Sequence, residues 1–286
     1  MNHTAPTHWP TASPVIMTVA GFDPCCGAGI AADLKTFAAH NCYGVAAITA
    51  LTVQNTRGVS SVMCVGAPVL KESIDALLAD GSVRAIKVGM LGNKANAEVL
   101  QQTLESSGSI PSVLDPVLRS SSGTELADSE AFAFLRDHLL SRVSVVTPNA
   151  DEAAALTGLK VENLEEMKAA ARCLLEKGAK AVVVTGGHLE KAMDVYFDGT
   201  ELETFVAERV KVEHTHGTGC TFASAIAANL ALGRQLRDAV MLAKAYLTEA
   251  IRKSYPVGPG RVPVNHLFRM QQGPRAAGPA VPEPVH

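Results

Sequence analysis

Residues 15–40 read VIMTVAGFDPCCGAGIAADLKTFAAH. Val15–Ala20 is a short apolar run with the pattern of a parallel strand buried on both faces. A glycine-bearing stretch, Gly21-Phe22-Asp23-Pro24-Cys25-Cys26-Gly27-Ala28-Gly29, follows it. Ala28–His40 then sets Ile30, Leu34, Phe37 and Ala38 at i, i+4, i+7 and i+8, one face of an amphipathic helix. Strand, loop and helix make half of a βαβ unit. Val45–Thr52, Ala85–Val88, Val113–Leu114, Val143–Val146 and Ala181–Thr185 are further strand candidates. Helical patterns fall around 69–79, 93–106, 128–140, 163–177, 219–232 and 236–253. Such alternation predicts an α/β fold, with a mostly parallel central sheet and helices on both faces. Residues 192–206 break the rhythm: two alternating segments flank Asp198-Gly199, a hairpin signal that predicts a short antiparallel edge.

The 286 residues carry 25 Lys+Arg and 28 Asp+Glu, a net charge of −3, and 47% are hydrophobic. This balance excludes a strongly basic nucleic-acid binder and argues against intrinsic disorder. No apolar run approaches the roughly 20 residues needed to span a bilayer. The first residues, MNHTAPTHWPTASP, have neither a basic start nor an apolar stretch, so no secretory signal is expected. Six cysteines without a CxxC pair read as reduced thiols of a cytoplasmic protein. Residues 1–13 are expected to be a flexible segment, and the Pro/Gly/Ala-rich residues 271–286 a disordered tail.

The strongest local chemical signal is His216-Gly217-Thr218-Gly219-Cys220-Thr221, which opens a small-residue helix. The glycines let the backbone turn and a ligand approach, while the helix terminus offers free N–H groups to an anion. Cys220 at that terminus is expected to have a depressed pKa and to act as a proton acceptor. An ordinary glycine loop with Cys220 as a small filler is the plain alternative. The stretch at Gly21 contains neither the dinucleotide fingerprint nor a Walker loop. Asp33, one turn into its helix, either points toward the strand ends or is a solvated carboxylate. Gln54, after the second strand, offers the acceptor and donors that fit an aminopyrimidine edge, or simply forms a turn.

Asp115 ends another strand, where a carboxylate can hold water or Mg2+. Asn149 and Glu152 share one side of a starting helix, and the same pattern also reads as a helix cap. Thr185-Gly186-Gly187-His188 ends a further strand, in reach of a nucleotide or as a plain turn. All these residues fall at or just after strand ends. In a parallel sheet those ends share one edge, so the groups converge on one cleft. An anion-binding terminus, metal-capable carboxylates and a proton acceptor together suggest phosphoryl transfer.

AGFDPCCGAGIAADLKTF, ALTVQNTRGV, KVGMLG, LDPV, TPNADEA, TGGH, HGTGCTFASAIA and PVNHLF stand in an order that resembles the hydroxymethylpyrimidine/phosphomethylpyrimidine kinases, ribokinase-like enzymes of the thiamine pathway. The resemblance covers residues 14–270. It implies one ribokinase-like kinase domain, ATP and Mg2+ as cofactors, a small pyrimidine substrate, no nucleic-acid or membrane partner, and a homodimer. It places Gly21, Ala28, Asp33, Gln54, Met90 and Val117 around the pyrimidine. Cys220 becomes the proton acceptor, with Gly217, Thr218 and Gly219 as the anion hole. Asp115 and Glu152 serve the metal, and Asn149, Thr185 and Gly187 the nucleotide.

Three departures stand out. Cys25-Cys26 replaces Ser-Gly. Arg119 stands two residues before a customary lysine. Thr185 replaces the lysine before Gly-Gly-His. Pyridoxal kinase on the same scaffold is the nearest alternative, then a non-catalytic pyrimidine-binding protein. The missing fingerprint disfavours an NAD-binding oxidoreductase.

Overall fold

The computed structural model describes residues 12–120, 123–187, 192–210 and 215–270. Most of the expected N-terminal segment, the tail at 271–286, and Ser121, Ser122 and His188 lie outside them. The first strand, β1 (Val15–Phe22), pairs in parallel with β2 (Tyr43–Asn55) on one side and β4 (Val83–Val88) on the other. Beyond β4 come β5 (Ser112–Leu114), β6 (Val145–Val146) and β7 (Val182–Gly186), also parallel. β3 (Gly58–Cys64) pairs antiparallel with β2. β8 (Ala192–Phe197) and β9 (Leu202–Ala207) form the expected hairpin at the other edge. The nine-stranded order is β3-β2-β1-β4-β5-β6-β7-β8-β9.

Alternating side chains split the core into two layers. On β1, Met17 and Val19 face one layer and Ile16 the other; on β7, Val182 and Val184 oppose Val183. The first layer is covered by α2 (Ala67–Ala79), α3 (Lys94–Ser106), α4 (Ser129–Phe134), α5 (Ala150–Thr157) and α6 (Leu164–Glu176). The second is covered by α1 (Gly29–Ala39), α7 (Thr218–Ala231) and α8 (Leu236–Arg252). α7 lies inside this layer. Ala223, Ala225, Ala227 and Ala228 are fully buried, and such small side chains let it pack closely against its neighbours. No helix among the described residues is long and apolar enough to cross a membrane.

The structure corrects the sequence reading at several places. β3 adds a second antiparallel edge, reached by a tight reversal at residues 55–58. The helix expected at 128–140 is α4 followed by a wide turn at Leu135–Leu139 and a tight one at Leu140–Arg142. That change of pitch brings Leu135, Leu139 and Leu140 all into the core. The strand expected at 143–146 is shortened to β6. A two-stranded ladder, β10 (Thr215–His216) with β11 (Val262–Pro263), was too short to leave a periodic trace in the sequence.

The crowding of α7 makes a prediction. Ala227→Leu should destabilise the protein by about 1–3 kcal/mol, read as a lowered urea midpoint with an unchanged slope.

Candidate active site

The chain leaves β1 toward β2 and returns on its other side as β4, so the strand order reverses at β1. Open parallel sheets bind ligands outside the carboxyl ends of the strands at such a point. Here a cleft of about 1660 Å³ runs along those ends, from Gln54 past Gly21 and Asp115 to Thr185 and Gly187. Gly21 stands at the reversal, where an added Cβ would lie 2.9 Å from the Met90 sulfur. Ala28, Met90 and Val117 share this part of the wall.

The loop after β1 is built around Asp23. Its carboxylate accepts the backbone N–H groups of Cys25 (2.9 Å), Gly27 (3.1 Å) and Ala28 (2.9 Å), and the Cys25 thiol (2.8 Å). His216 Nε2 lies 2.9 Å from Asp23 Oδ2 and 3.1 Å from Gln54 Nε2. Burial raises the Asp23 pKa, but the bonds from His216, Cys25 and Ala28 outweigh it and hold it at about 2. Cys26 takes the left-handed conformation, φ 57°, which explains why glycine suits that position. Sequence reasoning passed over Asp23 because a lone aspartate in a turn carries no spacing signal.

Asp33 is not on the cleft wall. Its carboxylate is wholly buried below it, accepting Thr18 Oγ1 (2.6 Å), Ser224 Oγ (2.7 Å) and Lys87 Nζ (3.0 Å). Lys87 is equally buried. Burial lowers its pKa, but Asp33, Cys220 and Asp115 together raise it above the ordinary value. Lys87 was read only as part of an apolar strand.

The anion loop forms as expected. Gly217 caps α7 at φ 83°, and a side chain there would run into the Gly27 carbonyl. Helix geometry leaves the amides of Thr218, Gly219 and Cys220 without intrahelical acceptors at the cleft. The expected acidic thiol is corrected. Burial pushes Cys220 up to about 12; Lys87 draws it down, but Asp115 and Asp33 act with burial. Burial therefore outweighs the helix terminus, with the two carboxylates adding to it.

Asp115 lies under the loop, both carboxylate oxygens 3.6 Å from where a Gly219 Cβ would stand. Its Oδ2 is buried without a hydrogen-bond partner. Glu152 belongs to a capping box: its carboxylate accepts Asn149 N–H and the Asn149 side chain accepts Glu152 N–H, each at 2.9 Å. Both acids have raised pKa values, from burial first, and Glu152 also from the Asp115 charge. An orphaned oxygen and a repelling acid pair fit a divalent cation bound by oxygen ligands. Arg119 instead pairs with Glu125 (3.4 Å) at the exposed rim. A different cation reaches the Thr185–Gly187 end of the cleft: Lys244, from α8, lies 2.7 Å from buried Asp194, whose other oxygen accepts Gly186 N–H.

Two predictions follow from the buried charges. Lys87→Met strands Asp33 and should cost about 3–5 kcal/mol in urea unfolding, with partial recovery in Lys87→Met/Asp33→Asn. Raised acid values mean that the folded state holds more protons than the unfolded chain above the ordinary carboxylate range. Buried His40 and His266, whose lowered pKa values give the opposite slope, offset this below the ordinary histidine range. In divalent-free buffer the melting temperature should therefore fall as pH rises from about 6.5 to about 8, and less steeply in Glu152→Gln.

The sequence profile described as phosphomethylpyrimidine kinase matches residues 23–265. A hydroxymethylpyrimidine/phosphomethylpyrimidine kinase of Synechococcus elongatus is 41% identical over 260 residues, covering 90% of this chain and 98% of that one. The Aquifex aeolicus protein of the same name is 41% identical over 248 residues, covering 86% and 97%. Bacillus subtilis pyridoxal kinase, solved as an ADP complex, superposes with a TM-score of 0.83 at 33% identity, covering 91% and 100%. Phosphomethylpyrimidine kinase of Clostridium difficile superposes at 0.74 and 37% identity, covering 83% and 99%. With its motifs gathered on one cleft and a matching profile over most of its length, the chain belongs to the phosphomethylpyrimidine kinase family.

Proposed function

We propose that the protein transfers the γ-phosphoryl group of ATP to the hydroxymethyl oxygen of 4-amino-5-hydroxymethyl-2-methylpyrimidine, and then a second one to that monophosphate, within thiamine diphosphate synthesis. The observation that carries this reading is the single cleft joining Gln54 and Met90 to the α7 amides and the Asp115–Glu152 pair. Gln54 meets the ring edge, and Gly21, Ala28, Met90 and Val117 leave a flat slot for the ring. Asp33 acts from beneath, through Lys87, and does not contact the substrate. Asn149, Thr185 and Gly187 line the nucleotide end, where Lys244 stands in for the lysine that Thr185 replaces.

In the transfer, the alcohol oxygen bonds to the γ-phosphorus as the bond to the ADP oxygen breaks. The amides of Gly217, Thr218, Gly219 and Cys220 hold the charge that develops on the phosphoryl oxygens. The Cys220 thiol first gives its proton to solvent in the cleft, a loss that the buried Lys87 charge favours, and the alcohol's proton then passes to the thiolate Sγ. Asp115 and Glu152 would hold Mg2+, which would supply positive charge against the phosphates. Cys220→Ala should lower kcat by about 10²–10⁴-fold with little change in KM, followed by 31P NMR of product. Turnover near that of the unaltered protein would remove Cys220 as proton acceptor.

A second reading, pyridoxal kinase, is favoured by one observation: the B. subtilis pyridoxal kinase superposes better than the C. difficile phosphomethylpyrimidine kinase. Both substrates present a hydroxymethyl group on a heteroaromatic ring. The pyrimidine alcohol should give the higher kcat/KM; a higher value with pyridoxal would reverse the assignment. A cytoplasmic setting is supported by the six free cysteines. A homodimer is supported by the exposed Leu51, Val53 and Met63 at the β2–β3 edge.

A further inference from the structure

We propose that Asp23, Cys25 and His216 form a binding site for a divalent transition metal of the zinc class. Their ligand atoms all lie within 4.8 Å of one another, and no other such group occurs among the described residues. The carboxylate already bridges the other two: Cys25 Sγ stands 2.8 Å from Oδ1 and His216 Nε2 2.9 Å from Oδ2. Ligand atoms on one tetrahedral zinc stand about 3.4–3.6 Å apart, so a small outward shift of thiol and ring makes room for the ion.

The frame for such a site exists without the ion. Backbone N–H groups of Cys25, Gly27 and Ala28 hold the carboxylate in place. His216 comes from β10, whose pairing with β11 fixes the strand that carries it. Asp23 and His216 line the cleft, which gives an entry path and leaves a fourth position for water. One sulfur, one nitrogen and one oxygen suit zinc or cobalt and reject Mg2+, which demands oxygen ligands. The site is thus chemically distinct from the Asp115–Glu152 pair. On binding, the Cys25 thiol releases its proton to solvent and its sulfur donates a lone pair to the metal; no redox change occurs.

The test uses the full chain, stripped by a chelator and titrated with Co2+. We expect a thiolate-to-cobalt absorption band in the near ultraviolet that saturates at one equivalent, is displaced by Zn2+ and persists in millimolar Mg2+. Cys25→Ser should abolish the band and weaken Zn2+ binding at least about 10-fold, since even supporting residues outside the ligand set carry that much. Cys26→Ser should keep it. Far-ultraviolet circular dichroism of each variant checks that it folds, and His216→Asn should weaken binding independently of the thiol. Absence of the band, its survival in Cys25→Ser, or its loss to Mg2+ overturns the proposal. The readout is optical and independent of the phosphoryl-transfer reading.

Discussion

One buried ion pair ties the site to the fold. Asp33 belongs to α1, Lys87 to β4, Thr18 to β1 and Ser224 to α7, and all four meet at a single carboxylate. An isolated charge at that depth would be strongly disfavoured, so each partner is held in place by the other three. α7 is thereby fixed against the sheet with its N-terminus at the cleft. The position of Cys220 and of the amides before it depends on this contact, although Asp33 itself lies out of a ligand's reach.

The same arrangement sets the electrostatics above it. Lys87 is the positive charge under a cluster that otherwise carries Asp33, Asp115 and Glu152. Without an added cation the acids repel, and they add to the burial that holds the Cys220 thiol above its ordinary pKa. The region is arranged for a charge that arrives with the ligand. That suits phosphoryl transfer, in which the protein chiefly positions groups and balances charge.

Much of the fold was legible because its signals are periodic. Strands buried on both faces read as apolar runs, helices as 3.6-residue stripes, and Asp198-Gly199 as a hairpin turn. The convergence of Gly21, Gln54, Asp115, Glu152 and Cys220 followed from strand ends sharing one edge. What stayed hidden depends on contacts between distant segments. Asp33 reads equally well as a surface carboxylate until Lys87, 54 residues away, is placed against it. The thiol at Cys220 was expected to follow its helix terminus, but burial raises it, and the carboxylates that add to this come from other elements. Asp23 gave no signal at all, since its partners are mostly backbone amides.

The loop at Asp23 and the loop at His216 touch directly, 193 residues apart in the chain. Gly217 even borders the Gly27 carbonyl. During biosynthesis the half of the pocket carried by the N-terminal βαβ unit has nothing to close against. Only when β10, α7 and the segment through β11 have left the ribosome can the two halves meet. A nascent chain therefore lacks the anion loop and the thiol at Cys220 until its last quarter is made, and a product cut short before it would also lack the α7 and α8 cover over one face of the sheet.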